Sequence, residues 1–372
     1  MTLIKVNNRG QQNNLGRRNL IINGDMKVAQ RNGTAVTQAP HSGYAGPDRW
    51  KTFASGGGAY TITQDSGHQA DTGHDKALKI AVTTADTSIA AGDVYSFLTR
   101  IESNSLQHLQ YGTSSAKSLT FSFWVRATKT GTQAVFFSKQ GTGTDYNHIK
   151  EFTINASNTW EHKTITIPGL TASTMINDAS TYIQAGWILK YGSAYHGTKD
   201  SWRTDSDFTT SAAVNNMDST SNTFYVTGVQ LEVGDRATDF EHRSLAEELA
   251  LCQRYFIKSG NAATGTDEWF PGVTTDGAKG RRLAQAFDGN QDRAGALVEF
   301  PTYMRSSPTI VFYPGRNDVA QTVGSIAVYN GATLVTTSGK PVGRANGLQG
   351  YFSGTSTDAA AYAFQFTADA EL

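Results

Sequence analysis

The chain has 372 residues, in which 32 lysines and arginines balance 32 aspartates and glutamates. Only 17% of the residues are charged, against about 25% in typical globular domains, and no basic stripe occurs, which excludes nucleic-acid binding driven by counterion release. No stretch approaches the roughly 20 apolar residues of a membrane helix, and the single cysteine, Cys252, excludes an intrachain disulfide and a cysteine metal cluster.

The first 18 residues combine a few apolar side chains with cations that no acid opposes. The residues expected to make contacts there are Leu3, Ile4, Val6, Arg17 and Arg18. Two interpretations stay open: a disordered basic tail, or a docking arm that lays a short strand against an acidic protein surface. Because the N-terminus has no apolar signal core, we expect synthesis in a reducing compartment without a secretory signal.

From residue 19 to residue 240 the pattern is a series of short strands separated by turn signals, without helical crossovers. The predicted strands occupy 19–23, 49–53, 59–63, 77–83, 94–101, 118–127, 160–167, 183–190 and 222–233. In the last of them the apolar phase changes at Gly228, which predicts a β-bulge. The series predicts one antiparallel β-sandwich of the jelly-roll type.

Residues 241–260 interrupt the strand pattern. Ser244 and Glu247 have the spacing of a helix capping box. An apolar stripe follows at helical spacing, formed by Leu245, Leu249, Cys252 and Phe256. We therefore predict one connecting α-helix here, with Cys252 as a small core residue rather than a reactive thiol.

Residues 261–372 return to β-structure. Strands are predicted at 294–300, 309–313, 326–329, 332–335 and 361–372, with Asn330 and Gly331 as a two-residue hairpin turn. The chain is thus predicted to be mainly β, with an N-terminal arm (1–18), a jelly-roll domain (19–240), a connecting helix (241–260) and a C-terminal antiparallel β-sandwich (261–372).

Signals for catalysis are few. The sequence has no nucleophile elbow, zinc-protease motif, phosphate loop or dinucleotide fingerprint. Asp200, Asp205 and Asp207 could supply the two carboxylates of a glycoside hydrolase, but acids clustered in a polar loop are more often solvated turn formers. We expect a protein that is not an enzyme.

Signals for ligand binding are stronger, because sugars are held by aromatic faces and by polar groups. Trp124 lies on the polar face of its strand beside Arg126, where a ligand, a second sheet, a loop or a neighbouring subunit would have to cover it. Residues 191–221 form a long segment without strand periodicity, in which Trp202 is either a ligand platform or an anchor. The candidate glycan-binding residues are Trp124, Arg126, Tyr191, Tyr195 and Trp202.

Six stretches of the sequence are distinctive: NLIINGDMKVAQRNGT at 19–34, DRW at 48–50, FYVTGVQLEVG at 224–234, ATDFEHR at 237–243, EELALCQRYF at 247–256 and FTADAEL at 366–372. Together they resemble a family of bacteriophage tail-fibre and related virion proteins. The resemblance spans residue 19 to the end. It implies a homotrimeric virion fibre, made in the host cytoplasm and carried on the outside of the particle, where it binds host surface polysaccharide.

In that family role, the N-terminal arm would attach the fibre to phage tail, adaptor or capsid proteins, with neither nucleic-acid binding nor membrane insertion. Three alternatives remain open. The chain could be a capsid-decorating fibre, a structural tail connector without receptor binding, or a depolymerising enzyme.

The first domain also resembles carbohydrate-binding jelly rolls, which implies a structural calcium ion between the first and last strands. Where those modules usually have an acid pair before the final valine, this chain has Thr227 and Gly228. Asp25 and Glu232 are then the candidate oxygen ligands. No cofactor other than this calcium is expected.

Overall fold

The computed structural model describes residues 18–31, 37–38, 42–178, 180–259, 282–286, 294–314, 325–330, 333–352 and 361–371. The chain divides into two compact units, Met1–Ser244 and Leu245–Leu372. The region predicted to be a connecting helix is thus split between the two units. The predicted domain boundaries stay predictions.

The described part of the first unit contains thirteen strands. They are β1 (Thr37–Gln38), β2 (Ser42–Tyr44), β3 (Lys51–Ser55), β4 (Ala59–Ser66), β5 (Lys76–Thr84), β6 (Val94–Glu102), β7 (Leu119–Ala127), β8 (Gly131–Gln140), β9 (Tyr146–Ile154), β10 (Glu161–Ile167), β11 (Tyr182–Tyr191), β12 (Trp202–Arg203) and β13 (Thr223–Val233). A short helix, α1 (Gln69–Thr72), precedes β5, and 3-10 turns occupy Ser103–Ser105, Gln107–Leu109 and Ser193–Tyr195.

These strands form two antiparallel sheets around one hydrophobic core. The six-stranded sheet has the order β1-β4-β5-β13-β7-β10, and the seven-stranded sheet has the order β12-β9-β8-β11-β6-β3-β2. Trp187 of the seven-stranded sheet contacts Phe121 and Phe123 of the six-stranded sheet, with ring centroids 5.2 and 5.0 Å apart. The predicted mainly β fold class is confirmed.

The β-bulge predicted at Gly228 is present. The pairing of β13 with β7 shifts register between Thr227 and Gln230, and Gly228 has a φ of 57°. A left-handed φ of this kind is easily adopted only by glycine. The extra residue allows the two halves of β13 to keep their apolar side chains, such as Val226 and Leu231, in the core.

Two differences from the predicted strands have clear physical reasons. Residues 19–23 form an irregular segment with a bend instead of a strand. There the Asn19 side chain takes the place of ladder hydrogen bonds, because it accepts from the amide of Leu231 and donates to the carbonyl of Val229. The strands β8 and β9 were missed. Their core-facing sides include Lys139 and His148, so their apolar alternation is broken although both side chains are buried.

The second unit contains one helix and eight strands within its described residues. They are α2 (Leu245–Gln253), β14 (Phe256–Lys258), β15 (Arg282–Ala286), β16 (Ala294–Glu299), β17 (Thr309–Pro314), β18 (Ser325–Asn330), β19 (Thr333–Arg344), β20 (Gly347–Phe352) and β21 (Ala361–Asp369). The sheet order is β14-β21-β15-β16-β20-β19-β18, β17 pairs with β21, and β18 also pairs with β21. Asn330 pairs with Thr333, and the Gly331 of the predicted turn lies outside the described residues.

The helix differs from its prediction at its C-terminal end. It begins directly after Ser244, but it ends at Gln253, so Phe256 lies in β14 and pairs with β21. Cys252 is buried, as predicted for a small core residue. Leu245 is 59% exposed, so the predicted apolar stripe is wrong at its first and last positions. The shorter helix instead buries Glu248, one turn before Cys252.

Candidate functional site

The outer face of the six-stranded sheet carries an aromatic–arginine cluster, which consists of Trp124, Arg126, Trp160 and Tyr225. In β7, Trp124 and Arg126 alternate with core residues and therefore point outward. The register places Tyr225 of β13 opposite Arg126, and Trp160 directly precedes β10 on the other side of β7. Cross-strand pairing thus assembles a cluster from three separated segments.

The Arg126 guanidinium is held by aromatic rings instead of by an acid. Its central carbon lies 4.1 Å from the ring centroid of Tyr225 and 5.0 Å from that of Trp160. Within the described part of the chain, Arg126 has neither an ion pair nor a hydrogen bond. The side chain is half-buried and its Nε is buried, so the donors left uncommitted at the surface are those of the two terminal guanidinium nitrogens.

Ionisable residues next to the cluster contact each other. The His68 ring meets the rings of Trp160 and Tyr225 edge-on, at centroid distances of 5.3 and 5.9 Å, and its Nε2 is 2.9 Å from Asp65. Lys79 also lies near Asp65, at 4.0 Å, and over the Tyr225 ring at 5.5 Å. The carboxylate of Asp65 is therefore directed to His68 and Lys79, which leaves the Arg126 charge uncompensated.

This arrangement suits the recognition of a sugar. Aromatic rings pack against the C–H faces of a pyranose, and a guanidinium donates to adjacent hydroxyls or, bidentately, to a carboxylate. Trp124 lies on the same face, one strand from His162, with ring centroids 5.2 Å apart. The half-exposed cluster therefore presents apolar area and hydrogen-bond donors side by side.

The predicted glycan-binding residues do not form one site. Trp124 and Arg126 belong to the cluster, whereas Tyr191 and Trp202 lie in the seven-stranded sheet and Tyr195 lies in the 3-10 turn after β11. Tyr191 is buried, its hydroxyl is 2.8 Å from Ser96 Oγ, and burial raises its pKa to about 12. Tyr195 meets Tyr191 edge-on at 5.4 Å.

Trp202 has the contacts of an anchor. Its indole N–H donates to the carbonyl of Pro168 at 2.8 Å, and its ring meets His148 and Tyr111 edge-on at 5.2 and 6.3 Å. The residue packs against the core of the first unit. Of the two interpretations of Trp202, these contacts favour attachment of the 191–221 segment over a ligand platform.

The proposed calcium ligands have other partners. Glu232 accepts from the Thr238 amide, the Thr238 hydroxyl and Gln230 Nε2. Asp25 Oδ2 pairs with Lys27 at 2.6 Å. Calcium needs six to eight oxygen ligands, and of these two carboxylates only Asp25 Oδ1 has no hydrogen-bond partner in the described structure. The predicted calcium site stays a prediction. The ligand atoms of Asp25 lie close to those of His74 and His242.

The docking arm lies almost entirely outside the described residues. Leu3, Ile4, Val6 and Arg17 are among those not described, and their predicted role stays a prediction. Arg18 is described, and its guanidinium donates to the carbonyl of Asp239 at 2.9 Å. No helix in the described ranges is long and apolar enough to cross a membrane.

The three loop acids differ in their surroundings. Asp200 pairs with Lys150 at 2.7 Å, and Asp205 pairs with Arg203. Burial, followed by the Asp205 charge, raises the pKa of Asp207. Two of the three acids are thus paired with cations of the adjacent strands β9 and β12, as in a structural loop.

Sequence reasoning missed Trp160, Tyr225, His68 and Lys79 as members or neighbours of the cluster. The outward position of Tyr225 was available from the alternation of β13. Its partnership with Arg126 was not, because it depends on which strands are neighbours and on the register after the bulge.

No protein-family model matches the sequence, and no curated protein sequence matches it. The structure is similar to the enzymatically active domain of tailspike protein 4 of bacteriophage CBA120 (10% identity, 58% of this chain and 21% of that chain, TM-score 0.32). It is also similar to a family 4 carbohydrate-binding module (16% identity, 57% and 98%, TM-score 0.29).

A third similar structure is the family 11 carbohydrate-binding module of the cellulase Lic26A-Cel5E from Clostridium thermocellum (14% identity, 56% and 99%, TM-score 0.28). The chain spans only about a fifth of the length of the tailspike domain that it matches. At these identities and scores the likenesses say nothing about what this chain binds.

Proposed function

We propose that the first unit binds glycans, without cleaving them, through the aromatic–arginine cluster. The observation that carries this proposal is the half-buried Arg126 side chain, whose guanidinium lies over the rings of Tyr225 and Trp160 and has no acidic partner among the described residues. A cation in this setting keeps its N–H donors for a ligand, because stacking on the rings uses none of them.

The same geometry suggests the ligand class. Trp124 and Trp160 supply apolar area, and Arg126 supplies paired donors that match vicinal hydroxyls or a carboxylate. We therefore expect host surface polysaccharides, and acidic ones in particular, to bind more tightly than neutral ones.

The wider role that we propose is that of a bacteriophage tail fibre, assembled as a homotrimer and attached to tail, adaptor or capsid proteins by residues 1–18. The sequence resemblance described above supports this role. A capsid-decorating fibre and a structural tail connector are the alternatives, and sedimentation of the intact chain together with labelling of mature particles distinguishes them.

Binding to a glycan array, followed by titration of the best ligand, tests the glycan proposal. Arg126→Gln should weaken binding about tenfold or more, because a hydrogen bond to a charged group contributes roughly 1.5–3 kcal/mol. Trp160→Ala should also weaken binding, because it removes apolar area and one of the two rings that hold the Arg126 guanidinium. Arg203→Gln is the matched control, since it removes an exposed arginine at the edge of the other sheet. Thermal melting confirms that each variant is folded.

Absence of binding by the intact trimer would remove the glycan-binding function. If Arg126→Gln and the wild type bound the glycan equally well, the binding site would have to lie on another surface of the protein. Incubation with host polysaccharide, followed by an assay for new reducing ends, tests the enzymatic alternative.

A further inference from the structure

Three potential metal ligands from distant parts of the first unit lie together. Asp25 lies in the first turn of the described chain, His74 lies between α1 and β5, and His242 follows β13. One ligand atom of each side chain lies within 4.8 Å of the ligand atoms of the other two. The glycan proposal does not use this set, and the predicted calcium site shares only Asp25 with it.

The Asp25 carboxylate has one oxygen that is available to bind a metal ion. Asp25 is 3% exposed, and its Oδ1 is buried without a hydrogen-bond partner in the described structure, while Oδ2 pairs with Lys27. A buried acceptor that makes no hydrogen bond is costly and uncommon. A cation bound at Oδ1 would satisfy it.

The imidazole rings of His74 and His242 are positioned by packing against each other and against Phe240. The His74 ring meets Phe240 edge-on at 4.6 Å and stacks on His242 at 5.5 Å. A Cβ atom at position 228 would lie 2.6 Å from His74 Nε2, so the glycine of the bulge leaves the space in which this nitrogen sits. His242 is exposed, which gives an ion a path from solvent.

We propose that Asp25, His74 and His242 form a binding site for a divalent transition-metal ion of the zinc class. Two imidazoles and one carboxylate suit Zn²⁺ and its neighbours, whereas calcium and magnesium prefer oxygen ligands. In a tetrahedral zinc shell with bonds of about 2.0–2.2 Å, the ligand atoms are about 3.4 Å from one another. The ligand atoms of the three side chains, which lie within 4.8 Å of one another, therefore need to move slightly closer together when the ion binds. The fourth position is left for water.

The ion would cross-link three segments that are far apart in the chain, namely the N-terminal turn, the α1–β5 connection and the segment after β13. Binding to the folded state alone raises thermal stability. For a unit of this size, zinc at 100 times its dissociation constant should raise the melting temperature by about 5–10 °C.

Calorimetric titration of the metal-free, full-length chain with Zn²⁺, after removal of any polyhistidine tag, tests the proposal. We expect one ion per chain. His242→Ala and Asp25→Asn should each lower the affinity at least tenfold, and His108→Ala, which removes an exposed histidine outside the cluster, should leave it unchanged. Co²⁺ in place of Zn²⁺ should give a visible absorption band that the His242→Ala variant weakens.

Failure of the folded wild-type chain to bind zinc would overturn the proposal. So would equal zinc affinity of the wild type, His242→Ala and Asp25→Asn, or tighter binding of Ca²⁺ than of Zn²⁺. Because Arg126 lies outside the set, loss of glycan binding in Arg126→Gln would not affect the zinc result.

Discussion

At the scale of single residues, position 228 requires a glycine for two reasons, the backbone conformation and the close packing around it. Its φ of 57° lies in the left-handed region, and a Cβ atom there would meet His74 Nε2 at 2.6 Å and Trp124 Cδ1 at 3.1 Å. Gly228→Ala should therefore lower the free energy of unfolding by about 2–4 kcal/mol, as the sum of backbone strain and crowding. Urea denaturation followed by tryptophan fluorescence measures this change.

Gly67→Ala separates the two contributions. Gly67 also has a positive φ, 91°, but a Cβ atom there meets nothing within 4 Å. This control should cost only the backbone term, about 1 kcal/mol. Equal losses in the two variants would show that crowding at Gly228 has no energetic effect.

His148 is a buried base whose titration should make stability depend on pH. It is fully buried, neither ring nitrogen has a hydrogen-bond partner among the described residues, and burial lowers its pKa to about 4. In the unfolded chain His148 takes up a proton near pH 6.5, whereas in the folded chain it does so only near pH 4. The stability of the folded state is therefore unaffected by this histidine above pH 6.5 and falls as the pH is lowered from 6.5 to 4. The loss should be about 1–3 kcal/mol.

His148→Phe tests this dependence, since it keeps a ring beside Trp202 and removes the titrating nitrogens. In buffer with a chelator, the variant should lose less stability than the wild type between pH 6.5 and pH 4. Identical pH profiles would show that His148 takes up no additional proton on unfolding.

At the scale of elements, the part of the 191–221 segment that follows β11, residues 192–221, covers part of the outer face of the seven-stranded sheet. Phe208 meets Phe136 and Tyr191 edge-on at 5.2 and 6.1 Å, next to a small buried cluster that includes Leu98 and Ile188. This contact holds a segment that has few strand hydrogen bonds of its own.

Phe208→Ala should therefore loosen the segment more than the sheet. We expect faster amide hydrogen exchange across 192–216, with little change in β6 and β11, because local opening needs less free energy than global unfolding. Ser206→Ala, at an exposed neighbouring position, is the control. Uniformly faster exchange in both sheets would instead mean that Phe208 supports the whole sandwich.

Also at this scale, the sequence predicts strands well where one face is apolar throughout. In β7 the alternation gave both the strand and the outward position of Trp124 and Arg126. In β8, Lys139 is buried and donates to the carbonyls of Thr142 and Thr144, so local hydrogen bonds replace the apolar pattern. Tertiary neighbours, such as Tyr225 beside Arg126, follow from register and cannot be obtained from a periodic pattern.

At the scale of the whole molecule, each unit has a hydrophobic core of its own. The first core includes Trp50, Trp187 and Phe121, and the second includes Met304 and Phe366. A compact unit with its own core can usually fold alone. This organisation gives a direct test of where the proposed binding functions reside.

A fragment of residues 18–244 should fold, melt cooperatively and retain both the glycan binding assigned to Arg126 and the zinc binding assigned to His242. The reason is that both sheets, the aromatic–arginine cluster and the three metal ligands all lie before Leu245. A fragment that ends at residue 222 is the control. It lacks β13, which lies between β5 and β7 in the six-stranded sheet, and should not fold. Circular dichroism and calorimetry measure both outcomes, and an unfolded 18–244 fragment would contradict the independence of the first unit.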